Sequence, residues 1–221
     1  MEPMIIPNWD TAIRVSDKMG SSPGGIYRAP DGKKYYVKFS GADSDDRIAN
    51  EYLANQIYRH MGVGIPEVSV VTIGGKPAHA SQFLDRDETI DFSTLKGGFI
   101  LDALQANWDI VAHLGEPIQT NIICHKGLLY RIDNGGPLLF RARGERKTTE
   151  QFSGTVVELQ TMRESYPGLN DKDIRSQINT LETSLTDKDI DKLIDATPLL
   201  NDADADFLKD ITSRKITYDE I

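Results

Sequence analysis

Strand signals and helix signals are segregated along this chain. Residues 11–85 are rich in Gly, Tyr, Val and turn dipeptides, whereas residues 95–221 read mostly as helix. A run of strands followed by a run of helices argues for an α+β architecture. With 221 residues, the chain has room for one domain or two small lobes and for a core that needs no staples. No internal repeat or low-complexity tract interrupts it.

In the first part, Ala12–Val15 alternates weakly and Ile26–Arg28 resumes an extended pattern after a Gly/Ser/Pro loop. Pro30-Asp31-Gly32 is a turn signal, because proline presets φ and glycine accepts a positive one. Lys34–Phe39 is rich in strand formers. Ile48, Leu53, Ile57 and Met61 recur at helical spacing, which predicts a helix over Arg47–Met61, capped by Ser44-Asp45-Asp46 and stopped at Gly62. Pro66–Ile73 and Ala78–Leu84 read as strands joined at Gly74-Gly75. Beyond Gly97-Gly98, a buried helix is expected over Phe99–Leu114, ending as early as Asn107. Asn121–Cys124 and Leu128–Ile132 suggest a small hairpin, and helices are expected over Asp173–Leu185, Asp187–Ala196 and Asp206–Lys215.

Composition narrows the function classes. With 25 basic and 34 acidic residues, the net charge of −9 disfavours a general nucleic-acid binder. The single cysteine, Cys124, excludes an internal disulfide framework and fits a reducing compartment. No apolar run reaches the length of a membrane span, and the amino terminus lacks the basic flank and apolar stretch of a classical signal peptide. These features lead us to expect a cytoplasmic protein, or one exported by a route that leaves no such mark.

Four features occur in the order that phosphoryl transfer requires. A loop of Gly20, Ser21, Ser22, Pro23, Gly24 and Gly25 lies between two strands, where small residues let backbone N–H groups approach phosphate oxygens. Lys38 follows on a strand, and Glu51 stands thirteen residues later on the next helix. A strand lysine held by a helix glutamate can meet nucleotide phosphates as a placed point charge. Arg131-Ile132-Asp133-Asn134-Gly135-Gly136 puts a carboxylate at a strand end, and Asn121 precedes Asp133 by twelve residues. Both can offer oxygen to a magnesium ion. Finally, Asp109, in Asn107-Trp108-Asp109, can accept or orient the proton of a substrate hydroxyl. Taken singly, each has an ordinary reading as a turn, an exposed strand lysine, an exposed helix carboxylate or a helix-terminal hydrogen bond.

Gly-Ser-Ser-Pro-Gly-Gly, Tyr-Val-Lys-Phe, Asn-Glu-Tyr-Leu-Ala, Asn-Trp-Asp, Thr-Asn-Ile-Ile and Tyr-Arg-Ile-Asp-Asn-Gly-Gly resemble the atypical bacterial kinases. That group shares a protein-kinase-like fold with the HipA toxins, the actin-fragmin kinase and the phosphoinositide kinases, and its small members serve as toxins or effectors. The resemblance covers residues 12–145. It implies a minimal two-lobed fold, with a β-rich lobe over about 10–92 and a mainly helical lobe over about 93–221. It also implies an ATP-dependent phosphotransferase that uses magnesium, or manganese in its place, and acts on a protein serine or threonine. The alternatives are a small-molecule or lipid kinase, an AMP-transferring enzyme and a nucleotide-binding pseudokinase. Carried over by position, Gly20–Gly25 would hold phosphates, and Lys38 and Glu51 would form the ion pair. Gln82, Phe83 and Leu84 would face adenine, Asn121 and Asp133 would bind the metal, and Asp109 would be the catalytic aspartate. Three departures accompany it. The histidine-arginine-aspartate motif is absent, Ile110–Thr120 must loop out between Asp109 and Asn121, and Asn134 replaces the usual phenylalanine.

Arg141–Lys147 forms a basic cluster where an activation segment would run. It reads either as a docking site for an acidic substrate, with Thr148, Thr149 and Ser153 as autophosphorylation sites, or as a solvated loop. The acidic tract Asn201–Asp206 fails as a calcium loop because it lacks the required glycine, and Asp206 reads as a helix N-terminal residue. The four histidines lack metal spacing, and no Gly-x-Ser-x-Gly elbow supports a hydrolase.

Overall fold

The computed structural model describes residues 5–17, 23–40, 45–87, 91–110, 121–141, 145–147 and 156–212. Five strands form one antiparallel sheet: β1 (Ile13–Ser16), β2 (Gly24–Arg28), β3 (Lys34–Phe39), β4 (Val68–Ile73) and β5 (Lys76–Gln82). Their order is β1-β2-β3-β5-β4, so β5 folds back between β3 and β4. The expected Pro-Asp-Gly turn joins β2 to β3. Gly32 there has φ 82°, and the Asp31 carboxylate accepts from Lys33 N at 2.9 Å. Gly74 and Gly75, at φ 59° and 72°, make the two-residue hairpin between β4 and β5. Positive φ at both central residues matches the twist of the flanking strands.

Helix α1 (Asp46–His60) crosses from β3 to β4 and packs on the sheet through β4 and β5. It ends where expected, with Gly62 at φ 73°. Its start differs from expectation. Asp45 makes no side-chain cap, and its carboxylate accepts from Ser40 Oγ at 2.7 Å instead. The helix buries Ile48, Leu53 and Ile57, and also Asn50, Glu51 and Asn55. A small apolar cluster of Tyr35, Val37, Val71, Ala78 and Ala80 covers a second part of the sheet, with Trp9 edge-on to Tyr35.

The rest is mainly helical. A 3₁₀ stretch over Phe92–Gly98 leads into α2 (Phe99–Leu104), followed by a 3₁₀ turn at Trp108–Ile110. The expected helix over Phe99–Leu114 therefore stops at Leu104, because Ala106 adopts φ 50°. Strands β6 (Ile122–His125) and β7 (Leu128–Arg131) form the expected hairpin. Helix α3 (Val156–Glu164) was not anticipated from the sequence. Helices α4 (Asp171–Ser184), α5 (Asp187–Asp195) and α6 (Asp202–Thr212) complete the chain. Asn170 caps α4, and Thr186 with Asp189 makes a capping box on α5. The last helix begins four residues before Asp206, because Asn201 accepts from Asp204 N at 2.9 Å.

One large core unites this part with α1. It includes Leu53, Ile57, Tyr58, Phe99, Ile100, Ile122, Leu138, Leu139, Ile174 and Ile190. Fully burying each aliphatic side chain stabilises the fold by about 1.5–3 kcal/mol. Leu53, Ile57 and Tyr58 project from the sheet-packed helix into that core, which makes α1 the element shared by both parts.

Candidate functional site

Lys38 stands near the end of β3, with Gly24 of β2 opposite it on one side and His79 of β5 on the other. Glycine is required at the first of these partners. A Cβ at Gly24 would lie 2.0 Å from the Val37 carbonyl oxygen. Gly24 and Gly25 thus hold the returning end of the glycine loop against the lysine strand, while Gly20, Ser21 and Ser22 lie outside the described residues.

The Lys38 ammonium donates to Glu51 Oε1 of α1 at 2.7 Å. It also donates to Asp133 Oδ1, from the segment that follows β7. Burial alone would lower the Lys38 pKa, but the Glu51 and Asp133 charges outweigh it and hold the pKa above the ordinary lysine value. The three partners differ in exposure. The side chains of Lys38 and Glu51 are 13% and 8% exposed, whereas that of Asp133 is 58% exposed. Asp133 also has φ 54°, a strained conformation for a non-glycine residue of the kind that collects at functional sites.

Behind Glu51 lies a buried polar chain that sequence reasoning missed. His79 Nδ1 stands 3.7 Å from Glu51 Oε1, and desolvation lowers its pKa, so the ring is neutral. Asn55 Nδ2 donates to the Glu51 carbonyl at 2.8 Å and lies 3.3 Å from His79 Nε2. Asn134, the residue in the phenylalanine position, donates to Asn55 Oδ1 at 2.8 Å. Asn107 reaches Asn134 Oδ1 at 3.4 Å and donates to Tyr58 OH at 2.9 Å. Tyr58 donates to Asp102 Oδ1 at 2.5 Å, and Arg131 grips the same carboxylate with Nε at 2.8 Å and Nη2 at 2.6 Å. The chain runs from the lysine pair to the floor of the helical part. Buried polar groups are mostly partnered, though His79 Nδ1 has no hydrogen-bond partner among the described residues, and the sequence signal for this chain is Asn50 and Asn55 on the apolar side of α1.

A second set of bonds fixes α1 to the Asp133 segment. Asn50 Nδ2 donates to Pro137 O and Asn50 Oδ1 accepts from Leu139 N, both at 2.9 Å. Gly135 lies against the Glu51 carboxylate, where an added Cβ would stand in ordinary contact at 3.5 Å from Oε2.

The remaining expected site residues occupy distinct places. Ile132 N donates to the Asn121 carbonyl at 2.8 Å, which extends the β6–β7 ladder and sets Asn121 beside the approach to Asp133. Phe83 and Leu84 follow β5 and are half-buried. The Phe83 amide is already engaged by Lys34 O at 2.8 Å. The linker beyond them is laced to the hairpin. Asp87 N donates to Cys124 O at 2.8 Å, and Gly127 N donates to Asp87 Oδ2 at 2.9 Å. Asp109 lies half-buried in the 3₁₀ turn at Trp108–Ile110, and its charge acts on the Lys147 ammonium.

The basic cluster is not a free patch where it is described. Arg146 pairs with the buried Asp204 of α6, and Lys147 is itself buried. Thr148, Thr149 and Ser153 lie outside the described residues. Among the described residues, no group of three or more His, Cys, Asp or Glu side chains forms a metal cage. No helix among them is long and apolar enough to cross a membrane.

The five-stranded antiparallel sheet, its lysine–glutamate pair through α1 and the helical part beneath constitute a protein-kinase-like fold, as the sequence resemblance implied. Among solved structures, the chain is similar to the Helicobacter pylori proinflammatory kinase CtkA. That match has a TM-score of 0.63 at 16% identity and covers 94% of this chain and 93% of that one. It is also similar to HipA of Shewanella oneidensis MR-1, from the HipA, HipB and operator DNA complex. There the TM-score is 0.52 at 15% identity, with 96% of this chain and 66% of that one covered. No family profile and no curated protein sequence matches.

Proposed function

We propose that the protein is an ATP- and magnesium-dependent phosphotransferase acting on a serine or threonine hydroxyl of a protein substrate. The observation that carries this reading is the meeting of Lys38, Glu51 and Asp133, from three separate elements, in a protein-kinase-like fold. Glu51 aims the ammonium, and Lys38 neutralises phosphate charge. Gly24 and Gly25 let backbone amides approach phosphate oxygens. Phe83 and Leu84 supply the apolar wall for adenine.

Asp133 and Asn121 offer hard oxygen ligands. Magnesium characteristically takes one or two carboxylates together with substrate phosphates instead of a full protein cage, so the donor set fits. When bound, the metal neutralises charge on the transferring group. Asp109 orients the attacking hydroxyl and receives its proton. On this reading, the sheet with α1 forms one lobe, to about residue 92, and the helices form the other. The two similar structures belong to a proinflammatory kinase and a toxin–antitoxin system. By that analogy we read the protein as a bacterial effector or toxin.

The test is transfer of labelled phosphate from ATP with magnesium, comparing wild type, Lys38→Ala and Asp133→Asn. Wild type should label itself or a protein in cell extract, and each variant should lose about 10²-fold or more of that activity. Equal labelling by all three would rule out the site. ATP-dependent thermal stabilisation without transfer would identify a binding module instead. Intact mass of the product separates phosphate from AMP.

A further inference from the structure

In sequence Lys147 is one of a basic cluster, yet among the described residues it is one of the most enclosed charges, at 8% exposure. Its ammonium donates to Gly136 O at 2.7 Å and to Ala106 O at 3.1 Å. These two carbonyls belong to different segments. Ala106 leads directly into Asn107-Trp108-Asp109, and Gly136 closes the turn that begins at Asp133.

Both segments are strained at this junction. Ala106 has φ 50° and Leu138 has φ 56°, and each is a non-glycine residue in the left-handed region. Leu138 N donates to Gln105 O at 2.8 Å, so the two corners meet. Such conformations persist only where the surroundings over-determine them. Lys147 is itself well anchored. Its amide donates to Leu139 O at 2.8 Å, and Arg146 beside it pairs with Asp204.

A buried ammonium is a costly way to fill space. Desolvation depresses its pKa to about 7, against the opposing charge of Asp109. An apolar side chain would fill the same volume but could not bridge two carbonyls.

We propose that Lys147 is a positioning residue that clamps the Ala106–Asp109 segment to the Asp133–Gly136 turn, so that Asp109 and Asp133 address one substrate. This rests on the phosphotransferase reading for its consequence, but the clamp itself can be tested without it. The chain has two tryptophans, Trp9 and Trp108, and the second is next to Asp109. In a Trp9→Phe background, fluorescence therefore reports the clamped segment alone.

The experiment compares Lys147 with Lys147→Met and Lys147→Gln, using acrylamide quenching of Trp108 and steady-state phosphoryl transfer. Lys147→Met should raise the quenching constant about twofold and lower kcat about tenfold or more, with KM for ATP within about twofold. Lys147→Gln, which keeps a donor nitrogen on a shorter, uncharged stem, should fall between the two and serves if Lys147→Met does not fold. Unchanged quenching in a folded variant overturns the clamp. A raised quenching constant with unchanged kcat overturns its role in positioning. If wild type transfers no phosphate, the functional reading fails, while quenching still decides whether Lys147 holds the segment.

Discussion

Arg131 and Asp133 stand two residues apart at the end of β7, yet their ion pairs are opposite in kind. Arg131 meets Asp102 in a closed site, with side chains 5% and 0% exposed. The Asp102 carboxylate accepts from Arg131 through two nitrogens and from Tyr58 and Tyr166. Its lone pairs are spent, and nothing further can bind there. Gly98 permits the fit, since a Cβ there would lie 2.2 Å from the guanidinium. Asp133 is different. It is more than half exposed, and Lys38 is the one donor it meets among the described residues. The contrast separates an ion pair that builds the floor of the molecule from one that keeps capacity for a ligand.

Breaking the closed pair should have the largest effect on stability. Asp102→Asn leaves the Arg131 charge buried without its counter-charge, and unfolding in urea should show a loss of about 3–5 kcal/mol. A loss comparable to that of a surface substitution would collapse the distinction.

Lys147 provides a third, intermediate case, buried, with the charge of Asp109 opposing its desolvation and Arg141 adding to it. Its folded pKa is about 7, against an ordinary 10.5. Between those values, the unfolded chain holds a proton that the folded chain has released, so this group's contribution to stability falls as pH drops from 10 to 7. Lys147→Met removes that dependence. The stability difference, variant minus wild type, should therefore rise on acidification by on the order of 2–4 kcal/mol. A difference that is flat with pH would mean that the ammonium stays charged in the fold.

The open pair should matter least to stability. Because Asp133 is exposed and Glu51 remains beside Lys38, Asp133→Asn should shift unfolding by no more than about 1 kcal/mol. The same substitution is expected to remove phosphoryl transfer. A stability loss as large as that of Asp102→Asn would show that Asp133 is architectural.

Much of the sheet was legible because its signals are local. Gly32, Gly62, Gly74 and Gly75 sit where the backbone needs positive φ. The spacing of Lys38 and Glu51 carried the ion pair, since a strand followed by a helix brings those positions together. The helical part was harder to read. The run from Gly97 to Leu104 looked uniformly apolar apart from Asp102, and its partner Arg131 lies 29 residues away in sequence. The helix expected over Phe99–Leu114, ending as early as Asn107, forms from Phe99 but stops at Leu104, where distant atoms, Leu138 N and the Lys147 ammonium, meet the Gln105 and Ala106 carbonyls. Asn50 and Asn55 fall on the buried side of α1, where helical periodicity would put only apolar residues. Their partners at Asn134, Pro137 and Leu139 come from far along the chain. Lys147 looked like one more member of a basic run, and only its enclosure distinguishes it.

The moorings of α1 have a consequence of their own. His60 Nε2 lies 2.8 Å from Ser184 O, Asn201 Nδ2 donates to Asp46 Oδ1 at 3.3 Å, and Asn50 holds the middle. A rod riveted at both ends and its centre makes a poor lever. Swinging this rod aside, and Glu51 with it, would mean drawing all three rivets at once.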